Sequence, residues 1–184
     1  SEHAVFLSGN GPLVDILREA LARDEVKSAK EKGETLSKTQ SLSKAKLFIQ
    51  NIHHFRDDAF TSTKAPIEHV VIFDEAQRAW TEKKTSSFMK TKKGVPNFDQ
   101  SEPEFLIRFM DRHKDWGVII CLIGGGQEIN NGEAGIKEWF SSLFKSFPDW
   151  NIHVSDQLTD YEYTQGNSLM PNNEKYRIHI EKNL

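Results

Sequence analysis

Apolar residues along the chain follow two different spacings. Short continuous apolar runs lie at 4–7, 70–73 and 118–123. Runs of this length are typical of strands in a parallel sheet whose two faces are buried. Between them, apolar residues recur every three or four positions, as in 13–21 and 136–144, which predicts helices. Strands that alternate with helices predict an α/β domain with a mostly parallel sheet flanked by helices.

The same patterns predict the local organisation of the remaining chain. The first strand is followed by a tight turn and a helix with Pro12 in its first turn, where a missing N–H costs little. Ser101 is expected to cap another helix. The two lysine-rich stretches, 24–46 and 82–99, are expected to be mobile connections within a single domain spanning 1–184. Further helices are predicted at 47–55 and 105–110, and further strands at 150–154 and 176–180.

Composition narrows the class of protein. The net charge of -3 excludes a uniformly basic nucleic-acid binder. The single cysteine, Cys121, excludes an internal disulfide framework, suits a reducing cytosol and is expected to be a buried, inert thiol. No apolar run approaches the roughly 20 residues that span a bilayer. We therefore expect a cytoplasmic protein without a membrane partner.

An acidic pair, Asp74 and Glu75, follows the apolar run 70–73 directly. Ligands of parallel α/β sheets collect outside the carboxyl ends of the strands. A nucleotide site there needs one carboxylate to hold Mg²⁺, usually through water, and one to activate the attacking water. The other interpretation is that the pair only caps the next helix, because acidic residues are common at such turns. The spacing alone leaves both interpretations open.

The segment Asp74-Glu75-Ala76-Gln77 resembles the Walker B motif of helicases. Longer phrases at 53–57, 110–116 and 132–136 resemble a bacterial family of P-loop ATPases grouped with the Schlafen group-three helicase-like domains. The resemblance covers about 4–157 and implies a RecA-like P-loop core.

The resemblance also implies roles for single residues. Asp74 would hold Mg²⁺ through water, and Glu75 would activate water. Gln77 and Gln127 would sense the nucleotide. The turn after the first strand would contact the backbone of DNA or RNA. That turn comprises Ser8, Gly9, Asn10 and Gly11.

A phosphate-binding loop of the form G-x-x-x-x-G-K-[ST] is absent from the sequence. Gly9-Asn10-Gly11 lacks the lysine, and the segment 33–39 is one residue short and follows no strand. In the family this loop precedes the segment that begins at Ser8. We therefore expect the P-loop fold to be incomplete at the N-terminus here, although a protein that never had the loop is the alternative. A further departure is Gly125, where many related helicases have aspartate.

The resulting functional prediction separates the complete protein from this chain. The complete protein is expected to be a nucleic-acid-dependent, helicase-like nucleoside triphosphatase that uses Mg²⁺ and ATP. This chain alone is expected to be inactive and to bind neither tightly. The alternative is a non-hydrolysing interaction or regulatory module with a P-loop fold. The choices between DNA and RNA and between helicase, translocase and switch stay open, as do the oligomeric state and the pathway.

Two further groups of residues admit a plain and a functional interpretation. The lysines at 83, 84, 90, 92 and 93 either bind a phosphate backbone or form a solvated loop. The histidines show no metal-binding spacing, because His53 and His54 are adjacent and no cysteine cluster accompanies them. No histidine metal site is therefore predicted.

Overall fold

The computed structural model describes residues 4–124, 132–159, 169 and 177–182. The chain forms two compact units, residues 1–75 with 109–122 and residues 76–108 with 123–184. The first unit contains β1 (Ala4–Ser8), α1 (Gly11–Glu31), α2 (Lys38–Phe48), β2 (Ile49–Asn51), α3 (Ile52–Thr61), β3 (Val70–Phe73) and β4 (Val118–Cys121). The second contains α4 (Glu82–Lys93), all but the end of α5 (Glu102–Met110), α6 (Gly135–Ser146), β5 (Asn151–Ser155) and β6 (Arg177–Glu181).

A four-stranded sheet organises the first unit. Its order is β2-β1-β3-β4, and every neighbouring pair is parallel. The predicted α/β class with a mostly parallel sheet is therefore confirmed, and the arrangement is consistent with a Rossmann-like or RecA-like fold. One face carries Val5, Leu7, Val71 and Phe73, which are all buried.

The opposite face of the sheet is less covered than the sequence predicted. Val70 and Ile72 are only half-buried, and Val118 and Ile120 are each 41% exposed. Successive strand residues point to opposite faces, so the two apolar runs place alternate side chains away from the core. Burial on both faces was therefore a wrong prediction for 70–73 and for 118–121.

The turn after β1 has the predicted strand–turn–helix form. Asn10 is the N-cap of α1, its side chain accepting a hydrogen bond from the Leu13 N–H, and Pro12 lies in the first turn. The stretch 24–46 contains regular structure, since α1 runs to Glu31 and α2 starts at Lys38.

Charged contacts and small residues hold this helical pair together. Lys44 Nζ donates to Glu25 Oε1 over 2.7 Å, and this bond, with a second from Ser41, holds the pKa of Glu25 below its usual value. Apart from Val14, the buried apolar residues of the two helices are Ala22, Ala29 and Ala45. Such residues leave no strong apolar period, which explains why the pattern missed α2 and the second half of α1. The predicted mobility of 24–46 and 82–99 stays a prediction.

The single helix predicted at 47–55 was also wrong. The three residues Ile49–Asn51 form β2, which pairs with β1, and α3 begins at Ile52. A three-residue strand gives no measurable alternation, so the helical spacing of its neighbours concealed it.

The second unit contains the other predicted elements. Ser101 Oγ accepts a hydrogen bond from the Glu104 N–H over 3.3 Å, which confirms the predicted cap of α5. The basic stretch forms α4, which is capped by Thr81 and is followed by Gly94 with φ 71°, a left-handed conformation that glycine adopts at little cost.

A cluster of Phe140, Ile152, Val154 and Leu158 forms an apolar core in the second unit. The last two strands, β5 and β6, are confirmed and pair in parallel. Among the described residues, no helix has both the length and the apolar character needed to cross a membrane.

Candidate functional site

The carboxyl ends of the parallel strands gather polar side chains at one edge of the first unit. Ser8 is the last residue of β1, and Asp74 follows β3. The Ser8 hydroxyl donates to Asp74 Oδ2 over 3.0 Å, and the Asp74 N–H donates to the Leu7 carbonyl over 2.9 Å. Ser8 is only 2% exposed, so its hydroxyl fixes one carboxylate oxygen of Asp74. Asp74 is therefore held at the edge of a parallel sheet where ligands commonly collect.

The turn that follows β1 is tied to the same hydroxyl. The Asn10 N–H donates to Ser8 Oγ over 3.2 Å, while Gly9 and Asn10 are exposed. A Cβ on Gly11 would lie 3.9 Å from Asn51 Nδ2. Asn51 ends β2 and caps α3 by accepting from the His53 N–H over 2.9 Å. The position of Asn51 beside this turn was not predicted, because the helix predicted at 47–55 included it.

Glu75 has an unusual backbone conformation. Its φ is 52°, and it is the one non-glycine residue with positive φ in the described part of the chain. Left-handed backbone costs a residue with a Cβ roughly 1–3 kcal/mol and tends to occur where a site requires it. The next α-helix is α4, and its N-cap is Thr81. The acidic pair therefore does not cap α4, but a short 3₁₀ helix, Ala76–Arg78, begins directly after Glu75, so both interpretations of the pair stay open.

The strain at Glu75 can be measured by substitution. Asparagine tolerates positive φ better than glutamate, so Glu75→Asn is expected to raise the free energy of unfolding by about 1 kcal/mol. Urea denaturation of the two proteins checks this. Glu34→Asn, at an exposed position, is the control and is expected to be neutral. A loss of stability in Glu75→Asn would contradict the assigned strain.

The chain continues beyond the acidic pair as a short 3₁₀ helix in the second unit, Ala76–Arg78. Gln77 is 6% exposed, and its Oε1 accepts a hydrogen bond from the Gly124 N–H over 3.3 Å. The indole N–H of Trp139 donates to the Ala76 carbonyl over 2.8 Å. The second predicted sensing residue, Gln127, lies outside the described residues.

The residues that follow 125–131 in the sequence are hydrogen-bonded to the segment 76–81. The Ala134 N–H donates to the Ala79 carbonyl over 2.8 Å, and the Thr81 N–H donates to the Gly132 carbonyl over 3.0 Å. With the bond between Gly124 and Gln77, residues on both sides of 125–131 are bonded to the segment 76–81. The sequence did not reveal these attachments, because they join positions about fifty residues apart through main-chain atoms.

Comparison with known proteins supports the resemblance found in the sequence. The family model described as Schlafen group 3, DNA/RNA helicase domain, matches residues 1–183. The chain belongs to this family. No curated protein and no solved structure matches the chain. Membership in the Schlafen group 3 helicase-domain family associates the chain with a nucleic-acid-related, NTPase-like function.

In this helicase-domain chain, the five lysines that were considered for phosphate binding lie on α4. They are at positions 83, 84, 90, 92 and 93. Lys83, Lys90, Lys92 and Lys93 are exposed. Lys84 instead places its Nζ 4.6 Å from the centroid of the Trp80 ring, which also packs edge-on against Phe88. The contacts of the Trp80 ring with Lys84 and Phe88 both lie within the second unit, as is typical of a residue that packs inside its unit. Binding of a phosphate backbone by the exposed lysines stays a prediction.

Cys121 is expected to be chemically inert. Burial raises its pKa from the ordinary value of 9.0 to about 12. Only the thiolate reacts, so near pH 8 the folded protein should react with a disulfide reagent about 1000-fold more slowly than the unfolded chain. Absorbance of the released thiol, measured with and without denaturant, checks this. Equal rates in the two states would contradict the assigned burial.

Proposed function

We propose that the chain supplies the Mg²⁺-binding and water-activating part of a nucleic-acid-dependent nucleoside triphosphatase. The carrying observation is the pair at the end of β3: Asp74 held by the Ser8 hydroxyl at 3.0 Å, followed by Glu75 in left-handed backbone. Family membership supports the general class of function.

The donor atoms at this edge fit a hard cation. Mg²⁺ prefers oxygen ligands, keeps several waters and is commonly bound through one or two carboxylates together with substrate phosphates. When bound, it would neutralise charge on the phosphate oxygens. Asp74 would hold it through water, with its orientation set by Ser8. Glu75 would orient the attacking water and accept its proton.

Two other groups of residues have roles in this proposal. Gln77 and Gln127 would sense the nucleotide, and the bond from the Gly124 N–H to Gln77 Oε1 supports placing Gln77 beside the start of the glycine run. Gly9, Asn10 and Gly11 would meet the nucleic-acid backbone, whereas Ser8, which was predicted to do so as well, is 2% exposed and would position Asp74 and the Asn10 N–H instead. The exposure of Gly9 and Asn10 supports contact with the nucleic acid, and a Cβ on Gly9 would meet nothing within 4 Å. A cytoplasmic location remains part of the proposal.

The second candidate function is a non-hydrolysing interaction module. It is favoured by one observation, namely that no G-x-x-x-x-G-K-[ST] segment occurs within 1–184. Backbone N–H groups and a lysine normally hold the phosphates in such a loop. A chain that lacks them is not expected to bind ATP tightly by itself.

The two candidates differ in one experiment on the natural full-length protein. ATP hydrolysis is measured with Mg²⁺ or with excess chelator, in the absence and presence of single-stranded DNA or RNA. The proposal expects hydrolysis that requires Mg²⁺ and increases with one of the nucleic acids. Absence of hydrolysis under all conditions supports the interaction module instead.

A further inference from the structure

Two histidines and an aspartate meet at the amino ends of β3 and β4. His69 precedes β3, and His113 and Asp115 precede β4. One ligand atom from each of the three lies within 4.8 Å of the others. In the first unit this is the end of the sheet opposite to Asp74, so the cluster is separate from the proposed nucleotide site.

Each imidazole is oriented by a main-chain carbonyl. His69 Nδ1 lies 2.8 Å from the Trp116 carbonyl oxygen, and His113 Nε2 lies 3.0 Å from that of Glu68. A carbonyl oxygen only accepts, so these two ring nitrogens carry the protons. In a neutral ring the lone pair then resides on the other nitrogen, His69 Nε2 or His113 Nδ1. Metal-binding histidines usually have this outer bond, which fixes the tautomer and the ring orientation. The His69 atom that lies 3.9 Å from Asp115 Oδ1 is Nδ1, so binding of an ion requires the Asp115 side chain to turn towards Nε2.

The third group is a carboxylate that stays ionised. The main-chain N–H of Trp116 holds the pKa of Asp115 below its usual value. Its side chain is 64% exposed, which leaves it free to rotate towards the rings. The rings of His69 and His113 are tilted by 34° to each other, with ring centroids 4.0 Å apart.

We propose that His69, His113 and Asp115 bind a divalent transition-metal ion, with Zn²⁺ the best fit. Two imidazoles and one carboxylate are typical zinc ligands, whereas Mg²⁺ and Ca²⁺ prefer oxygen alone. Zinc bonds of about 2.0–2.2 Å require tetrahedral ligands roughly 3.4 Å apart. Binding therefore contracts the cluster, chiefly through movement of Asp115, and water completes the coordination.

The ion would join two segments of the first unit that already contact each other. Arg112 donates to the carbonyls of Ala59, Ser62 and Lys64 over 2.7–3.2 Å, which ties the turn before β4 to the segment between α3 and β3. The metal adds a cross-link between the same segments. We therefore expect a stabilising rather than a catalytic ion.

The test uses variants that remove the metal ligand and keep the carbonyl bond. His69→Asn retains a donor near the position of Nδ1, and His113→Gln retains one near Nε2. Tag-free, chelator-treated protein is titrated with Co²⁺, followed by visible absorption, and with Zn²⁺, followed by calorimetry. His153→Asn, on β5 in the second unit, is the matched control.

The wild type and the control are expected to bind one ion per chain with the absorption bands of low-coordinate Co²⁺. Each ligand variant should lose more than about tenfold in affinity. Zn²⁺ should raise the melting temperature of the wild type and not that of His69→Asn. If a histidine variant fails to fold, Asp115→Asn decides, because that side chain is exposed. Saturable one-to-one binding that survives these substitutions, or the absence of binding in the wild type, overturns the proposal.

Discussion

Replacing Glu75 with glutamine is expected to lower ATP hydrolysis by the natural full-length protein by about 10²–10⁴-fold, the usual contribution of a general base. Glutamine has nearly the same size but its amide accepts no proton at neutral pH. Nucleotide binding should be unchanged, because the proposed Mg²⁺ ligand, Asp74, and its bond to Ser8 remain. The reduction should therefore appear in kcat, with KM little affected.

The matched control for this substitution is Glu82→Gln. Glu82 is an exposed glutamate in the first turn of α4, and its replacement should leave kcat unaltered. Steady-state kinetics and a filter-binding assay with labelled nucleotide measure both properties. An unchanged kcat in Glu75→Gln would remove Glu75 from the chemistry.

Replacing Trp139 is expected to have the largest effect on stability. Trp139 is buried in α6, and Trp139→Ala should lower the free energy of unfolding by about 3–5 kcal/mol through loss of packing and an unfilled cavity. Trp139→Phe keeps most of the apolar surface but removes the hydrogen bond to the Ala76 carbonyl. It should cost about 0.5–1.5 kcal/mol, because that carbonyl keeps its other hydrogen bond, from the Ala79 N–H at 3.3 Å.

Trp116→Phe controls for the loss of an indole at an exposed position, since Trp116 is 52% exposed. Chemical denaturation followed by circular dichroism compares the three variants. We expect the order of stability to be Trp116→Phe, then Trp139→Phe, then Trp139→Ala. A Trp139→Phe protein as stable as the control would show that the bond to Ala76 contributes nothing.

The sequence predicted those parts of the fold that rest on strong periodic patterns. The runs at 70–73 and 118–121 became neighbouring parallel strands, and Ser101 became the cap that its position indicated. Prediction failed where packing uses alanines and ion pairs, as between α1 and α2, and where a strand is very short, as in β2. Neither situation leaves a distinct apolar period.

The candidate site was predictable to a similar degree. Asp74 and Glu75 are adjacent in sequence and end a strand, so the pattern found them directly. The left-handed backbone of Glu75 and the bond between Gln77 and Gly124 depend on tertiary structure and leave no local signal. For the same reason, the approach of His69 to His113 was missed, because the topology of β3 and β4 brings them together.

The central claim is that Asp74 holds the ion of the nucleotide site. Fe²⁺ substituted for Mg²⁺ and supplied with hydrogen peroxide and ascorbate generates hydroxyl radicals that cut the chain beside the metal, and mass spectrometry locates the cuts. With ATP bound to the natural full-length protein, we predict cuts next to Asp74 and next to Ser8, whose hydroxyl contacts it. The cuts should disappear in Asp74→Asn and persist in Glu82→Gln. Cleavage that is absent near both residues, or that is unaffected by Asp74→Asn, would contradict the assignment.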